Sequence, residues 1–185
     1  TWQAHPVSEP DVWDIFVHHI PSGTTERLNR STMYLFSSRV SGDRLVWNEA
    51  DGTNYDVWLK DLGDDTIERL VMEEHDQMAA NIEGHLVIWF DWRHSGEAFP
   101  SYYYDLYLYD IDTGVSRRLT DESHGWGGFA PSCKWFLYGE RLGDDLNLTY
   151  AWDAVAAGVL DNDCHVIPCD PQIETCAMIQ WRGAQ

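Results

Sequence analysis

The sequence is poor in basic side chains. Its 185 residues include 12 Lys and Arg against 31 Asp and Glu, which gives a formal net charge of −19. Nucleic-acid binding depends on Lys and Arg to neutralise phosphates, so a nucleic-acid partner is not expected. No run of about 18 apolar residues occurs either, so no membrane-spanning segment is expected.

Catalytic signatures are also missing. The sequence contains no Gly-x-Ser-x-Gly nucleophile elbow, no His-Glu-x-x-His zinc motif and no glycine-rich phosphate-binding loop. The chain does have many apolar side chains: hydrophobic residues make up 44% of it, and ten residues are Trp. A disordered acidic tail contains far fewer. The chain is therefore expected to fold, and its length favours one domain.

Four cysteines in the last third of the chain bear on its compartment. They are Cys133, Cys164, Cys169 and Cys176, and four cysteines allow three pairings. We favour the pairs Cys169–Cys176 and Cys133–Cys164. The alternatives are free buried thiols and a zinc site in which His165 joins Cys164, although no CxxC pair is present. Disulfides imply an oxidising compartment: the periplasm, the cell surface or the extracellular space.

An internal repeat organises the chain. Segment 14–28 aligns without gaps on segment 56–70 and again on segment 105–119, at offsets of 42 and 49 residues. A second block, 42–47, recurs as 84–89 at the same offset of 42. Self-similarity at such a period is typical of repeat architectures.

Each repeat unit predicts four short strands. Residues 44–48 and 56–60 are β-branched and aromatic runs on either side of the turn-rich segment 51–54, which is typical of a hairpin. A further strand ends in Arg-Leu, and the segment before each glycine block, such as 77–82, supplies the fourth. Four antiparallel strands in about 42 residues make one propeller blade. Only 152–160 has the composition of a short helix, and it is equally compatible with an irregular excursion.

These residues resemble the repeats of TolB-like bacterial β-propellers. The best copy runs through Ile88-Trp89, then 105–110, then Arg118-Leu119-Thr120, and the resemblance covers residues 11 to about 150. It implies an all-β propeller fold. It leaves the activity open, because similar repeats occur in periplasmic translocation proteins, in the propeller domains of prolyl-oligopeptidase-like peptidases and in some polysaccharide lyases.

The repeat period also predicts the blade boundaries. We expect a single β-propeller domain over 1–185, with blades at about 1–29, 30–71, 72–120 and 121–160 and a cysteine-rich closure segment at 161–185. About four blades are then present, whereas propellers of this type commonly have about six to eight, with four as the lower limit. Either the C-terminus closes a four-bladed ring or the chain is part, such as half, of a larger propeller. We favour the second, because an open stack leaves strand edges that need a partner.

Two histidines at repeat-equivalent positions are candidate site residues. His75 lies five residues after Leu70, and His124 lies five residues after Leu119, whereas Met33 holds the same place in the first unit. Equivalent positions in adjacent blades point the same way relative to the central axis, so His75 and His124 are expected at the channel mouth. They could bind a metal or an anion, or line a solvated channel. Because two ligands alone hold a metal weakly, any metal stays unassigned.

A long hairpin in the third unit supplies the other candidates. The connection between Trp89 and Asp105 is seven residues longer than the matching hairpin of the second unit. Aromatic loops on a rigid scaffold often form binding surfaces for proteins or sugars. Strand alternation, with the rings packed between neighbouring blades, is the alternative. The candidate binding residues are Trp92, Arg93, His94, Tyr102 and Tyr104.

Clusters of acidic residues in the turns offer oxygen ligands for Ca²⁺, at 51–56, 63–65, 143–145 and 161–163. None of them has the spacing of an EF-hand. Asp, Asn and Gly also favour turns for backbone reasons alone. No cofactor is therefore expected, with Ca²⁺ at these turns as the alternative.

The sequence thus predicts a secreted or periplasmic β-propeller scaffold, not an enzyme, that mediates protein–protein or glycan binding or assembly. Its partner would be another protein, the remaining blades from another segment or chain, or a glycan. The alternative is an enzyme: a propeller-type glycan lyase or hydrolase with His75 and His124 near its site, or the propeller domain of a prolyl-oligopeptidase-like peptidase.

Overall fold

The structure is a computed structural model of the chain. It describes residues 2–4, 13–28, 35–50, 52–94, 103–120, 123–124, 132–142 and 146–169. In these ranges all regular secondary structure is β-strand. None of the described residues belongs to a helix long and apolar enough to cross a membrane.

The strands follow one another along the chain with short turns between many of them. They are β1 (Trp2–Ala4), β2 (Asp14–His19), β3 (Thr24–Arg27), β4 (Leu35–Ser41), β5 (Arg44–Ala50), β6 (Tyr55–Asp61), β7 (Ile67–Arg69), β8 (Gln77–Glu83), β9 (Leu86–Asp91), β10 (Tyr103–Asp110), β11 (Val115–Arg118), β12 (Ser123–His124), β13 (Trp135–Leu142) and β14 (Leu146–Asp153).

Within the described residues, the strands pair as antiparallel meanders in four sheets. The first sheet contains β1–β3, the second β4–β7, the third β8–β11 with β12 beside β10, and the fourth β13–β14. The second and third sheets are the four-stranded units that the repeat predicts. The predicted blade boundaries and the total number of blades stay predictions. No helix forms at 152–160, because β14 continues to Asp153 and the chain then turns.

The sequence repeat encodes the same backbone path in the second and third sheets. β4 and β8 each carry a bulge, in which Ser37 and Ala79 have φ angles of 55° and 57°. Gly42 and Gly84 open the turns that follow, with φ angles of 55° and 59°. A side chain costs about 1 kcal/mol in this left-handed region, which accounts for glycine at both turns.

The hydrophobic core lies between successive sheets. Ile15 of the first sheet packs with Leu45 and Trp47 of the second, and Val57 of the second packs with Trp89 of the third. This face-to-face packing of successive sheets is how propeller blades bury their apolar surface. The third sheet is covered in turn by residues 154–169, here called the C-terminal segment.

The C-terminal segment is held to the third sheet by polar and covalent contacts. Arg117 donates hydrogen bonds from Nη1 to the carbonyls of Gly158 and Ile167, at 2.7 and 3.2 Å. A disulfide joins Cys133 to Cys164, which confirms one of the two predicted pairs. Cys169 is also in a disulfide. Cys176 lies outside the described residues, so the Cys169–Cys176 pair stays a prediction.

Candidate functional site

The third sheet has two ends that differ in chemistry. The loop end contains the start of β8, the end of β9 and the start of β10, so the long β9–β10 connection and the segment before β8 lie there. At the turn end lie the short β8–β9 and β10–β11 turns. His75, Trp92, Arg93 and His94 all lie at the loop end, and β12 places the backbone of His124 there because it pairs with the start of β10.

Direct contacts bring several of the predicted residues together. The backbone N–H of Trp92 donates to the carbonyl of Asp76 at 3.0 Å, next to His75. In the β10–β12 pair, His124 lies opposite Tyr103. The predicted roles of two residues stay predictions. Tyr102 lies outside the described residues, and of His124 only the backbone is described.

Two of the predicted aromatic residues are buried. Trp92 is 3% exposed and Tyr104 is 6% exposed, and both pack with Met78. Their ring centroids lie 5.0 Å apart, and the Phe90 ring lies 4.2 Å from Tyr104. The Trp92 ring follows β9 and the Tyr104 ring belongs to β10, and their contacts with Met78 and Phe90 account for their burial. Both rings are covered by other side chains and present no face to solvent. The binding role of Trp92 and Tyr104 therefore stays a prediction, and their burial does not support it.

Arg93 is fixed in one orientation by two carboxylates and a ring. Its Nε and Nη2 donate to the two oxygens of Asp91 at 2.9 and 2.7 Å, and its Nη1 donates to Glu73 at 2.9 Å. The guanidinium carbon lies 4.4 Å from the centroid of the Tyr107 ring. Burial opposes the charge of Arg93, but the hydrogen bonds and charge of Asp91 outweigh it and raise its pKa. A bidentate pair of this kind gives a strong and directional contact.

Tyr107 continues this network towards His94. Its hydroxyl lies 3.0 Å from His94 Nε2, and burial raises the pKa of Tyr107 to about 12, although the nearby charge of Arg93 opposes this. Burial also raises the pKa of Asp105, against the opposing charge of Arg118. The phenol of Tyr107 is therefore neutral at physiological pH.

Glu73 and Asp91, the two carboxylates that hold Arg93, were not among the residues predicted from the sequence. Asp91 had a detectable signal, because it aligns with Glu49 at the offset of 42 residues. The structure shows the same bond in both copies: Trp89 Nε1 donates to Asp91 at 2.9 Å, and Trp47 Nε1 donates to Glu49 at 3.0 Å. Glu73 lies between repeated blocks and had no such signal.

In the acidic turns, carboxylates accept hydrogen bonds from backbone N–H groups of the same turn. Asp61 accepts from the N–H of Gly63 at 2.7 Å, and Asp64 accepts from the N–H of Thr66 at 3.0 Å. Asp161 caps its turn in the same way. Backbone capping accounts for the composition of these turns, and 143–145 lies outside the described residues.

Replacing Tyr107 by Phe is expected to reduce the loss of stability at high pH. The pKa of Tyr107 is about 12 in the folded protein and about 10 in an unfolded chain, a difference worth about 3 kcal/mol. This contribution is complete below pH 10 and is lost as the pH rises towards 12. Denaturant unfolding at a series of pH values should show a flatter profile for the variant. At pH 7 the variant should lose only the bond to His94, about 1 kcal/mol. Parallel profiles would contradict the assignment.

Comparison with known proteins identifies the fold. No family model and no curated protein matches the sequence. Among solved structures, the chain matches TolB from Acinetobacter baumannii with a TM-score of 0.56 and 17% identity, over 77% of this chain and 35% of that one. It matches a putative TolB from Agrobacterium tumefaciens with a TM-score of 0.53 and 13% identity, over 78% and 58%.

A third match is the β-propeller domain of the Trilobed protease from Pyrococcus furiosus, with a TM-score of 0.51 and 14% identity, over 66% of this chain and 40% of that one. The chain therefore spans between about a third and three fifths of the solved chains that it matches. At such low identity the matches establish the fold alone. The prediction from the repeat is confirmed: this all-β chain has the fold of TolB-like β-propellers and corresponds to part of those larger chains.

Proposed function

We propose that this chain is an extracytoplasmic β-propeller module that binds a protein partner without catalysis, and that the loop end of its third sheet forms the binding surface. The observation that carries this proposal is the network in which Asp91 and Glu73 hold Arg93. The Cys133–Cys164 disulfide supports an oxidising compartment. The wider role of the chain in an assembly depends on the rest of the propeller.

A protein partner fits the chemistry of this surface better than a glycan. Sugar recognition by stacking needs an exposed ring, and the two candidate rings that the structure describes here, those of Trp92 and Tyr104, are buried. Charged groups are exposed instead: the Glu73 side chain is 47% exposed and the Arg93 side chain is 20% exposed. Because Arg93 is already fixed, a partner would meet a charge pattern that needs little further ordering, which favours affinity and specificity.

The loop end offers little support for the enzyme alternative. Among the described residues, the imidazole of His94 bonds to the hydroxyl of Tyr107, and burial keeps the pKa of that hydroxyl high, at about 12. Asp91 and Asp105 are buried and pair with Arg93 and Arg118. A glycosidase instead needs one protonated and one free carboxyl group flanking its substrate. The match to a protease propeller concerns the fold alone.

Charge reversal at Glu73 tests the proposal. A partner isolated on the wild-type chain and then purified should bind the Glu73→Lys variant about tenfold more weakly, a difference of about 1.4 kcal/mol. The reversal removes an exposed charge that complements the partner and leaves Arg93 facing a second cation. Affinity is measured by titration calorimetry. Because Glu73 is partly exposed, the variant should lose at most about 1 kcal/mol of stability.

Glu83→Lys provides the matched control. Glu83 ends β8 at the turn end and is exposed, so the variant has the same net charge as Glu73→Lys with the change at the opposite end of the sheet. Affinity should be unchanged. Equal weakening by the two variants would show that net charge alone attracts the partner. A turnover of peptide or polysaccharide substrates that is lost on substituting His75 or His94 would instead favour the enzyme alternative.

A further inference from the structure

Two imidazoles and a carboxylate converge at the turn end of the third sheet. His85 lies in the β8–β9 turn, Asp110 ends β10, and His165 follows Cys164 in the C-terminal segment. One ligand atom from each of the three residues lies within 4.8 Å of the other two. His165 Nδ1 is 3.1 Å from Asp110 Oδ2, and the two imidazole centroids are 5.0 Å apart.

We propose that His85, Asp110 and His165 form a binding site for a divalent transition-metal ion of the zinc class. Imidazole nitrogen and carboxylate oxygen are ligands that zinc binds at about 2.0–2.2 Å, so two ligands of a tetrahedral ion lie about 3.3 Å apart. In the metal-free chain His165 Nδ1 donates its proton to Asp110 Oδ2 across 3.1 Å, which is close to this spacing, so a bound ion would replace that proton. A small movement of the His85 ring completes a three-ligand set.

The hydrogen bond of His85 determines which of its ring nitrogens carries the proton. Its Nε2 lies 2.8 Å from the carbonyl oxygen of Cys164, and a carbonyl only accepts, so Nε2 carries the proton. In the neutral ring Nδ1 then has the lone pair, and it lies 3.8 Å from Asp112 Oδ2. Metal-binding histidines commonly donate their other N–H to a carbonyl or carboxylate in this way, which fixes the tautomer and orients the ring.

The surroundings of the cluster favour a cation and give it access. A cleft of about 440 Å³ opens beside His85 and is lined by Asp43, Asp61, Asp112 and Arg44 among others, so three carboxylates face one guanidinium. Such an excess of negative charge concentrates cations. The side chain of His85 is 17% exposed and that of His165 is 37% exposed. The cleft is lined by His85 and not by Asp110 or His165, so it gives access to the cluster from the His85 side.

The cluster also has a structural role, because Asp110 and His85 both hydrogen-bond to the backbone of the C-terminal segment. Asp110 accepts from the N–H groups of Asp112 and Val166, both at 3.0 Å, and so fastens the C-terminal segment to the β10–β11 turn. The three ligand residues come from segments far apart in the sequence, so a bound ion would join the third sheet to the C-terminal segment. This site lies at the opposite end of the sheet from the proposed partner surface and does not depend on it.

Amide variants separate metal binding from the structural role. In His85→Gln and His165→Asn, an amide nitrogen can still donate to the Cys164 carbonyl or to Asp110, but amides are poor zinc ligands. The metal-free chain is titrated with zinc chloride by calorimetry. We expect one zinc equivalent that the double variant lacks, and a loss of affinity of at least tenfold in each single variant. His18→Asn, which changes an exposed histidine of the first sheet, should leave the affinity unchanged.

Further measurements decide whether a bound ion occupies this site. X-ray absorption at the zinc edge should show two imidazole ligands in the wild type. Zinc at about one hundred times its wild-type Kd should raise the melting temperature of the wild type by about 5–10 °C and leave that of the double variant unchanged. Ca²⁺ prefers oxygen ligands and should not displace the zinc. The proposal is wrong if the wild type binds no zinc, if the double variant binds as much, or if Ca²⁺ displaces it.

Discussion

Replacing Arg69 by Met should lower the free energy of unfolding by about 3–5 kcal/mol. Arg69 Nη2 lies 2.7 Å from Asp56 Oδ2, and the Asp56 side chain is fully buried. Met keeps much of the packing of the aliphatic stem but removes the cation that compensates a buried carboxylate. The cost is therefore that of leaving a charge in a dry environment. Equilibrium unfolding in urea measures it.

Arg44→Met is the matched control, because Arg44 lies at the same distance from a carboxylate but its partner is exposed to solvent. Its Nη2 is 2.7 Å from Asp112 Oδ1, and both side chains are partly exposed. Removing an exposed pair costs about 0–1 kcal/mol. Equal losses in the two variants would contradict the role of burial. Adding Asp56→Asn to Arg69→Met should recover part of the stability, because the second substitution removes the uncompensated charge.

The pair between Arg69 and Asp56 also explains why Asp and Arg recur at fixed positions of the sequence repeat. The same pair occurs in the first and third sheets, with every nitrogen–oxygen distance at 2.7 Å. In each sheet the Asp stands two residues before the residue that pairs with the Arg, and the Arg ends the next strand, so the hairpin register brings them together. The recurrent Asp and the Arg-Leu ending are thus explained by packing. The pairs are Asp14–Arg27, Asp56–Arg69 and Asp105–Arg118.

The fold was predictable because its information is local and repeated. Alternating apolar strands, glycines at turns such as Gly42 and Gly84, and a constant offset all agree on one four-stranded unit. Each unit buries its apolar face only against its neighbours, so the same residues must recur in every copy. Such agreement between local pattern and global packing makes a prediction reliable.

The candidate sites were less predictable because they depend on what covers each strand. The sequence pattern places Trp92 and Tyr104 in or beside strands. It does not show whether solvent or another side chain contacts their rings. The cluster of His85, Asp110 and His165 was missed for a different reason. His165 belongs to the C-terminal segment, which departs from the repeat, so only tertiary contacts place it beside His85.

Removing the Cys133–Cys164 disulfide should lower the free energy of unfolding by about 3–4 kcal/mol. The bond joins residues 31 apart in the sequence, and closing a loop of that length removes about this much entropy from the unfolded chain. Cys133→Ser with Cys164→Ala suits the two environments, because Cys133 is exposed and Cys164 is buried. A loss of this size should lower the melting temperature by about 10 °C in a domain of this length.

The location of this loss tests how the C-terminal segment is held. Val159, Leu160 and Val166 are buried in the same cluster as Leu86 and Leu108 of the third sheet. Because sheet and segment share one core, the variant should still unfold in a single transition. Hydrogen exchange should then accelerate in both regions together. Rapid exchange confined to the segment would show that the disulfide holds it in place and the core does not, whereas a variant as stable as the wild type would contradict the loop-entropy argument.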